Sequence, residues 1–132
     1  MPTRILIADD SSSTRNVLKK YLEAYSVQWK VCAEAANGLE AVQKAVEVKP
    51  DLIIMDLQMP LMDGISASAR ISKSLPRVPI LMNTVHKSGY VDVEASRVGV
   101  REVLSKSEPA TLVRAIEKWL GQRPQLTPPP SD

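Results

Sequence analysis

The stretch DLIIMDLQMPLMDG, residues 51–64, decides how this chain is read. Residues 52–55 are four apolar side chains in a row, the pattern of a short strand buried on both faces, and they run directly into Asp56. Met59-Pro60 and Asp63-Gly64 then break the extended chain. A carboxylate at the mouth of a hydrophobic strand is costly to bury unless a cation or hydrogen-bond donors meet it, so its presence there points to a use.

Outward from this strand, short apolar runs at residues 4–8, 30–35, 80–83 and 102–105 alternate with longer segments of helical period. That alternation is the signature of an α/β domain, a parallel sheet wrapped by helices. SSSTRNVLKKYLEAY offers serine and threonine caps and then Val17, Leu18, Tyr21, Leu22 and Tyr25 at three-and-four spacing. GLEAVQKAVEVKP repeats the period with Leu39, Val42 and Val46, and Asn37-Gly38 before it reads as a turn. ISASARISKSL and SGYVDVEASRVGV are weaker helices, whereas EPATLVRAIEKWLG carries Leu112, Ile116, Trp119 and Leu120 on one stripe between Pro109 and Gly121. Residues 1–121 thus read as one domain, and QRPQLTPPPSD, residues 122–132, as an extended proline-rich tail.

Composition narrows the function classes. With 132 residues, 44% hydrophobic and 24% charged, the chain is sized for a single globular domain with a real core. The net charge of +2 comes from 17 scattered basic residues, so direct nucleic-acid binding is not expected. The single cysteine, Cys32, excludes an internal disulfide and reads as a small core residue. No apolar run approaches a membrane span, and MPTRILIADD turns acidic too early for a signal peptide, so the expected location is cytoplasmic.

Parallel strands joined by right-handed crossovers bring all their C-terminal ends to one edge, where ligands bind. The residues that meet there are Asp9 and Asp10 after the first strand, Asp56 after the third, Thr84 after the fourth and Lys106 after the fifth. Carboxylates so gathered repel one another unless a cation joins them. Magnesium, a hard ion that takes one or two carboxylates and keeps several waters, suits the set better than calcium. Lys106 supplies a point cation and Thr84 a hydroxyl, both suited to a phosphoryl group, and Asp56 is the candidate nucleophile.

In the order ILIADDSSSTR, LIIMDLQMPLMDG, VPILMNT and EVLSK, these motifs resemble the receiver domain of two-component response regulators over residues 4–121. The resemblance implies a flavodoxin-like (βα)5 doubly wound parallel sheet of strand order 2-1-3-4-5 in three α/β/α layers. It implies that Asp56 takes a phosphoryl group from a phosphohistidine on a sensor histidine kinase or phosphotransfer protein. Mg2+ would be held by Asp10, Asp56 and the backbone carbonyl of Gln58, with Asp9 in support. Lys106 would contact the phosphoryl oxygens, and Thr84 would report the phosphate to a surface formed by the fourth helix, fifth strand and fifth helix. That surface would control a protein target or a missing output domain, or form a phosphorylation-dependent homodimer.

Departures from the family pattern fall along the signalling route. Val103 stands where the family usually has a mobile aromatic switch residue, Ser107 follows the lysine in place of proline, and Val85 is larger than the usual small residue after the threonine. Gln58 and His86 occupy the positions that commonly tune hydrolysis; as a plain loop residue His86 needs no such role. Three other readings compete. A phosphorylation-independent interaction module would tolerate Val103 and Val85. A flavodoxin-like cofactor binder needs a glycine-rich phosphate loop that ADDSSST lacks. An aspartate-dependent phosphatase needs a lid or cap.

Overall fold

The computed structural model of the protein describes residues 2–121. Its elements run β1 (Thr3–Ala8), α1 (Ser12–Tyr25), β2 (Trp29–Ala35), α2 (Gly38–Val48), β3 (Leu52–Met55), α3 (Gly64–Ser74), β4 (Ile80–Thr84), α4 (Gly89–Arg97), β5 (Glu102–Ser105) and α5 (Pro109–Gly121). The five strands form one parallel sheet in the order β2-β1-β3-β4-β5, the doubly wound flavodoxin-like arrangement. The proline-rich segment 122–132 lies outside the described residues.

Two cores sandwich the sheet because successive strand residues point to opposite faces. Ile5, Ile7, Leu52, Ile54, Leu81 and Leu104 pack against Leu22 of α1 and against Leu112, Val113 and Ile116 of α5. On the other face Leu6, Ala8, Ile53, Met55, Ile80 and Met82 meet Ala41 and Ala45 of α2, Ala67 and Ile71 of α3 and Ala95 of α4. All of β3 is buried, and each such side chain contributes roughly 1.5–3 kcal/mol. This explains the unbroken apolar run: a central parallel strand has no solvent face.

The helices depart from the sequence reading in which face they bury. In α2 the large apolar residues Leu39 and Val46 are exposed, while Ala41 and Ala45 are fully buried. Small residues there let α2 approach the sheet closely, so the larger apolar side chains are left toward solvent. Val17 and Tyr25 of α1 are likewise more than half exposed. Asn37-Gly38 is a helix start rather than a free turn: the Asn37 side chain accepts from Glu40 N at 2.8 Å, and Glu40 reaches back to Ala36 N at 2.9 Å. Cys32 is only partly buried. The weak pattern of α4 has a plain cause, since Ala95 is its one buried residue. No described helix is long and apolar enough to cross a membrane.

Ser68 of α3 is fully buried, and its hydroxyl has no hydrogen-bond partner. An unsatisfied buried hydroxyl costs about 1–3 kcal/mol, and alanine is the better helix former. Ser68→Ala is therefore expected to stabilise the fold by about 1 kcal/mol, raising the thermal midpoint by roughly 4 °C. Thermal denaturation followed by circular dichroism measures this; a lowered midpoint would refute it.

Candidate functional site

Asp9, Asp56 and Lys106 stand one step past their strands, on backbone that prolongs the sheet ladder. Asp9 N donates to Ala35 O at 3.0 Å, Asp56 N to Ala8 O at 2.9 Å and Lys106 N to Thr84 O at 3.0 Å. The side chains are thus placed by the most rigid part of the fold. Because Ala8 pairs with Met55, the residues that follow them, Asp9 and Asp56, are neighbours across β1 and β3.

Asp9, Asp10 and Asp56 converge, with one carboxylate oxygen from each lying within 4.8 Å of the others. Asp9 and Asp56 are buried, 4% and 7% exposed, whereas Asp10 faces solvent. Lys106 crosses from β5 to meet them, its Nζ 2.6 Å from Asp9 Oδ2 and 3.1 Å from Asp56 Oδ2. The remaining oxygens accept backbone donors: Asp9 Oδ1 from Ser11 N at 2.9 Å and Asp56 Oδ1 from Leu57 N at 2.8 Å. One ammonium against three carboxylates leaves the pocket net negative.

That imbalance shows in the protonation energetics. Burial pushes the Asp56 carboxyl above the ordinary carboxylate range; the Lys106 charge pulls it back, and neighbouring Asp9 adds to the rise. For Lys106, burial alone would lower the ammonium, but its hydrogen bond to Asp9 and the charge of Asp56 outweigh it and hold the group above the usual lysine value. Charges pressed together at this edge make it the strongest site candidate among the described residues.

Thr84, the last residue of β4, is fully buried, and its Oγ1 accepts from His86 N at 3.1 Å. Gln58 lies in the loop after Asp56 with an exposed side chain. Val103 pairs with Met82 in the sheet, is half-buried, and packs on the core shared with α2, α3 and α4. Val85 is 69% exposed beside the pocket.

Two glycines shape the loop after Asp56: Gly64, whose chain-breaking role the sequence shows, and Gly38, whose part in this loop it does not. Gly64 N donates to Leu57 O at 2.7 Å, and a Cβ at Gly64 would lie 2.0 Å from Asp56 O. Gly38 N donates to Met62 O at 3.0 Å, and its Cβ would lie 2.1 Å from that oxygen. The loop folds back on both, which fixes the peptide of Asp56. Asn83 also escaped notice although it lies within VPILMNT: it is buried at the groove between α1 and α5, with an unpartnered amide oxygen.

The cluster fits a hard divalent cation: its donors are all oxygens, and Asp10 opens it to solvent. The fold and site define a class, a doubly wound α/β domain that gathers carboxylates and a lysine at its switch point where a nucleotide binder would place a glycine-rich cradle. The chain belongs to the response regulator receiver domain family, which matches residues 5–117. It is 35% identical over 119 residues to the chemotaxis protein CheY of Thermotoga maritima, covering 89% of this chain and 98% of that protein. It is 39% identical over 104 residues to a protein-glutamate methylesterase/protein-glutamine glutaminase of the same organism, covering 78% of this chain but only 30% of that protein. Among solved structures, the response regulator domain of T. maritima CheB superposes with a TM-score of 0.85 at 31% identity, covering 94% of this chain and 100% of that one. A LuxR-family two-component response regulator from Aurantimonas superposes at 0.87 and 32% identity, covering 97% and 91% respectively. Receiver domains bind Mg2+ at an acidic pocket, and Asp9, Asp10 and Asp56 form such a pocket here.

Because the metal-free folded state holds the Asp56 proton more tightly than the unfolded chain, its carboxyl costs stability as pH rises from the ordinary carboxylate range through its raised value. Asp56→Asn removes that penalty. In chelator, the variant is expected to melt higher than wild type at pH 7, with the gap closing toward pH 4 as Asp56 protonates. A gap that is absent or reversed at pH 7 would show that the Lys106 contact outweighs burial.

Proposed function

We propose that Asp56 is the phosphoacceptor of this receiver domain and that a sensor histidine kinase or phosphotransfer protein is the donor. The observation that carries this reading is the contact of Lys106 with both Asp9 and Asp56 at the strand ends, which keeps a cation beside an otherwise costly carboxylate. An Asp56 oxygen attacks the phosphorus, the N–P bond of the donor's phosphoimidazole breaks, and the imidazole leaves with the bonding pair and takes up a proton. Lys106 faces the phosphoryl oxygens while Asp9 tethers it. A magnesium ion held by Asp10, Asp56 and the Gln58 carbonyl, with Asp9 in support, supplies charge neutralisation at those oxygens when bound.

Once an acyl phosphate stands on Asp56, the buried Thr84 hydroxyl is the switch. Trading its acceptor role with His86 N for donation to a phosphoryl oxygen draws in the β4–α4 loop. The face built from α4, β5 and α5 then shifts, with Val103 passing the motion by packing because it has no ring to rotate. Output through a protein target, a following output domain or a homodimer is consistent with relatives that carry methylesterase or LuxR-type regulators. The whole protein's activity follows from that output, and catalysis by this domain is confined to its own Asp56.

Incubation with a small phosphodonor and Mg2+ is expected to add the mass of one phosphoryl group to wild type and none to Asp56→Asn. Lys106→Ala should lower the initial rate by roughly 10²-fold, the usual effect of removing one transition-state charge partner. An adduct that survives in Asp56→Asn would refute Asp56 as the acceptor, and none in wild type under any donor favours the phosphorylation-independent interaction module. Independently, Mg2+ at ten times its dissociation constant should stabilise wild type by about 1.4 kcal/mol, and Asp10→Asn should abolish most of that shift.

A further inference from the structure

We infer that Arg15 is a positioning residue for the acidic pair, clamping the Asp9 carbonyl so that the Asp10 carboxylate stays aimed at the metal pocket, and that Glu34 acts through it. This rests on the phosphoacceptor reading above. The peptide between Asp9 and Asp10 lies where the sheet ladder has ended and the helix ladder has not begun. The first acceptor of α1 is Ser11 O, taken by Arg15 N at 3.0 Å, so the helix leaves the Asp9 carbonyl to a side chain. Arg15 Nη1 donates to that carbonyl at 2.5 Å.

Every other polar group of Asp9 is already held: its N–H by Ala35 O, Oδ1 by Ser11 N and Oδ2 by Lys106. Fixing the carbonyl as well sets the plane of the following peptide and hence the direction in which exposed Asp10 leaves the backbone. The guanidinium is in turn anchored. Arg15 Nε donates to Glu34 Oε1 at 3.0 Å, the Arg15 side chain is only 15% exposed, and the Lys44 ammonium of α2 meets the Glu34 carbonyl. Arg15 thus spans from α1 to β2 across the end of β1 with two directed donors, which a lysine's single ammonium does not reproduce.

Groups that orient metal ligands commonly change metal affinity by ten- to a hundredfold when removed, without touching the metal. The test is Mg2+ binding by isothermal titration calorimetry on the whole chain, alongside phosphorylation by a small phosphodonor over a range of Mg2+. Arg15→Ala is expected to weaken Mg2+ roughly tenfold, while saturating Mg2+ restores the phosphorylation rate to within about twofold. Arg15→Lys should fall between the two, and Glu34→Ala should weaken binding less than Arg15→Ala. The double variant Arg15→Ala/Glu34→Ala should bind no more weakly than Arg15→Ala alone, since Glu34 acts only through the guanidinium.

If Arg15→Ala does not fold, Arg15→Lys and Glu34→Ala carry the same comparison. Wild type that binds Mg2+ and phosphorylates on Asp56, with Arg15 variants binding equally well, overturns the inference and leaves the phosphoacceptor reading standing. Additive losses from Arg15 and Glu34 overturn the role given to Glu34. Wild type that binds no Mg2+ overturns both readings together.

Discussion

The structure is organised around an unbalanced knot of charge: two buried carboxylates, Asp9 and Asp56, and an exposed third, Asp10, with Lys106 as the cation set against them. Burying such a group costs several kcal/mol unless attraction and hydrogen bonds offset it, so the surrounding fold has to hold these side chains tightly. The pairing of β1 with β3 makes Asp9 and Asp56 neighbours, and the pairing of Thr84 with Ser105 aims Lys106 back across β4 toward them. Net negative charge remains, and a cluster of oxygen donors so charged suits a divalent cation.

Holding the knot constrains the loops as much as the strands. The segment after Asp56 turns over Gly64 and leans on Gly38 at distances that leave no room for a Cβ at either position. Leu61 in this loop adopts a φ of 69°, a left-handed conformation that a leucine enters at some cost. That strain belongs to the chain reversal that keeps Asp56 reachable. The next loop is looser: residues 85–90 are all exposed, and only the Thr84 hydroxyl and the Ser88 cap tie its backbone by side-chain hydrogen bonds. A tightly held loop after Asp56 beside a less constrained loop after Thr84 is the asymmetry that the proposed switch requires.

The strand-end residues were legible in the sequence because a single rule, parallel strands with crossovers of one hand, converts linear order into a common edge. Asp9, Asp10, Asp56, Thr84 and Lys106 follow from that rule together with five apolar runs. The strand order itself came from motif resemblance, since periodicity does not distinguish one doubly wound order from another. What spacing misjudged was the buried face of α2, where Ala41 and Ala45 outcompete Leu39 and Val46 for the close approach to the sheet. Helical period identifies an apolar stripe, but the distance between helix and sheet decides whether large or small side chains fill it.

Side-chain networks that join different elements were the least legible, and the Arg15–Glu34 pair shows why. At the start of the β1–β2 ladder Ile5 pairs with Val31, a register that would place Ile7 opposite Ala33. A shift between Ile5 and Leu6 inserts one residue, so Ile7 instead faces Glu34. One residue of slip reverses which side of the sheet a side chain occupies. The irregularity therefore carries Glu34 into reach of the Arg15 guanidinium, and with it the anchor for the Asp9 carbonyl. Nothing in the run WKVCAEA marks the shift, because its small and mixed side chains suit either register. The anchor of the Asp9–Asp10 peptide beside the acidic pocket thus depends on an extra residue in an edge strand, a link that appears only when the ladder is traced residue by residue.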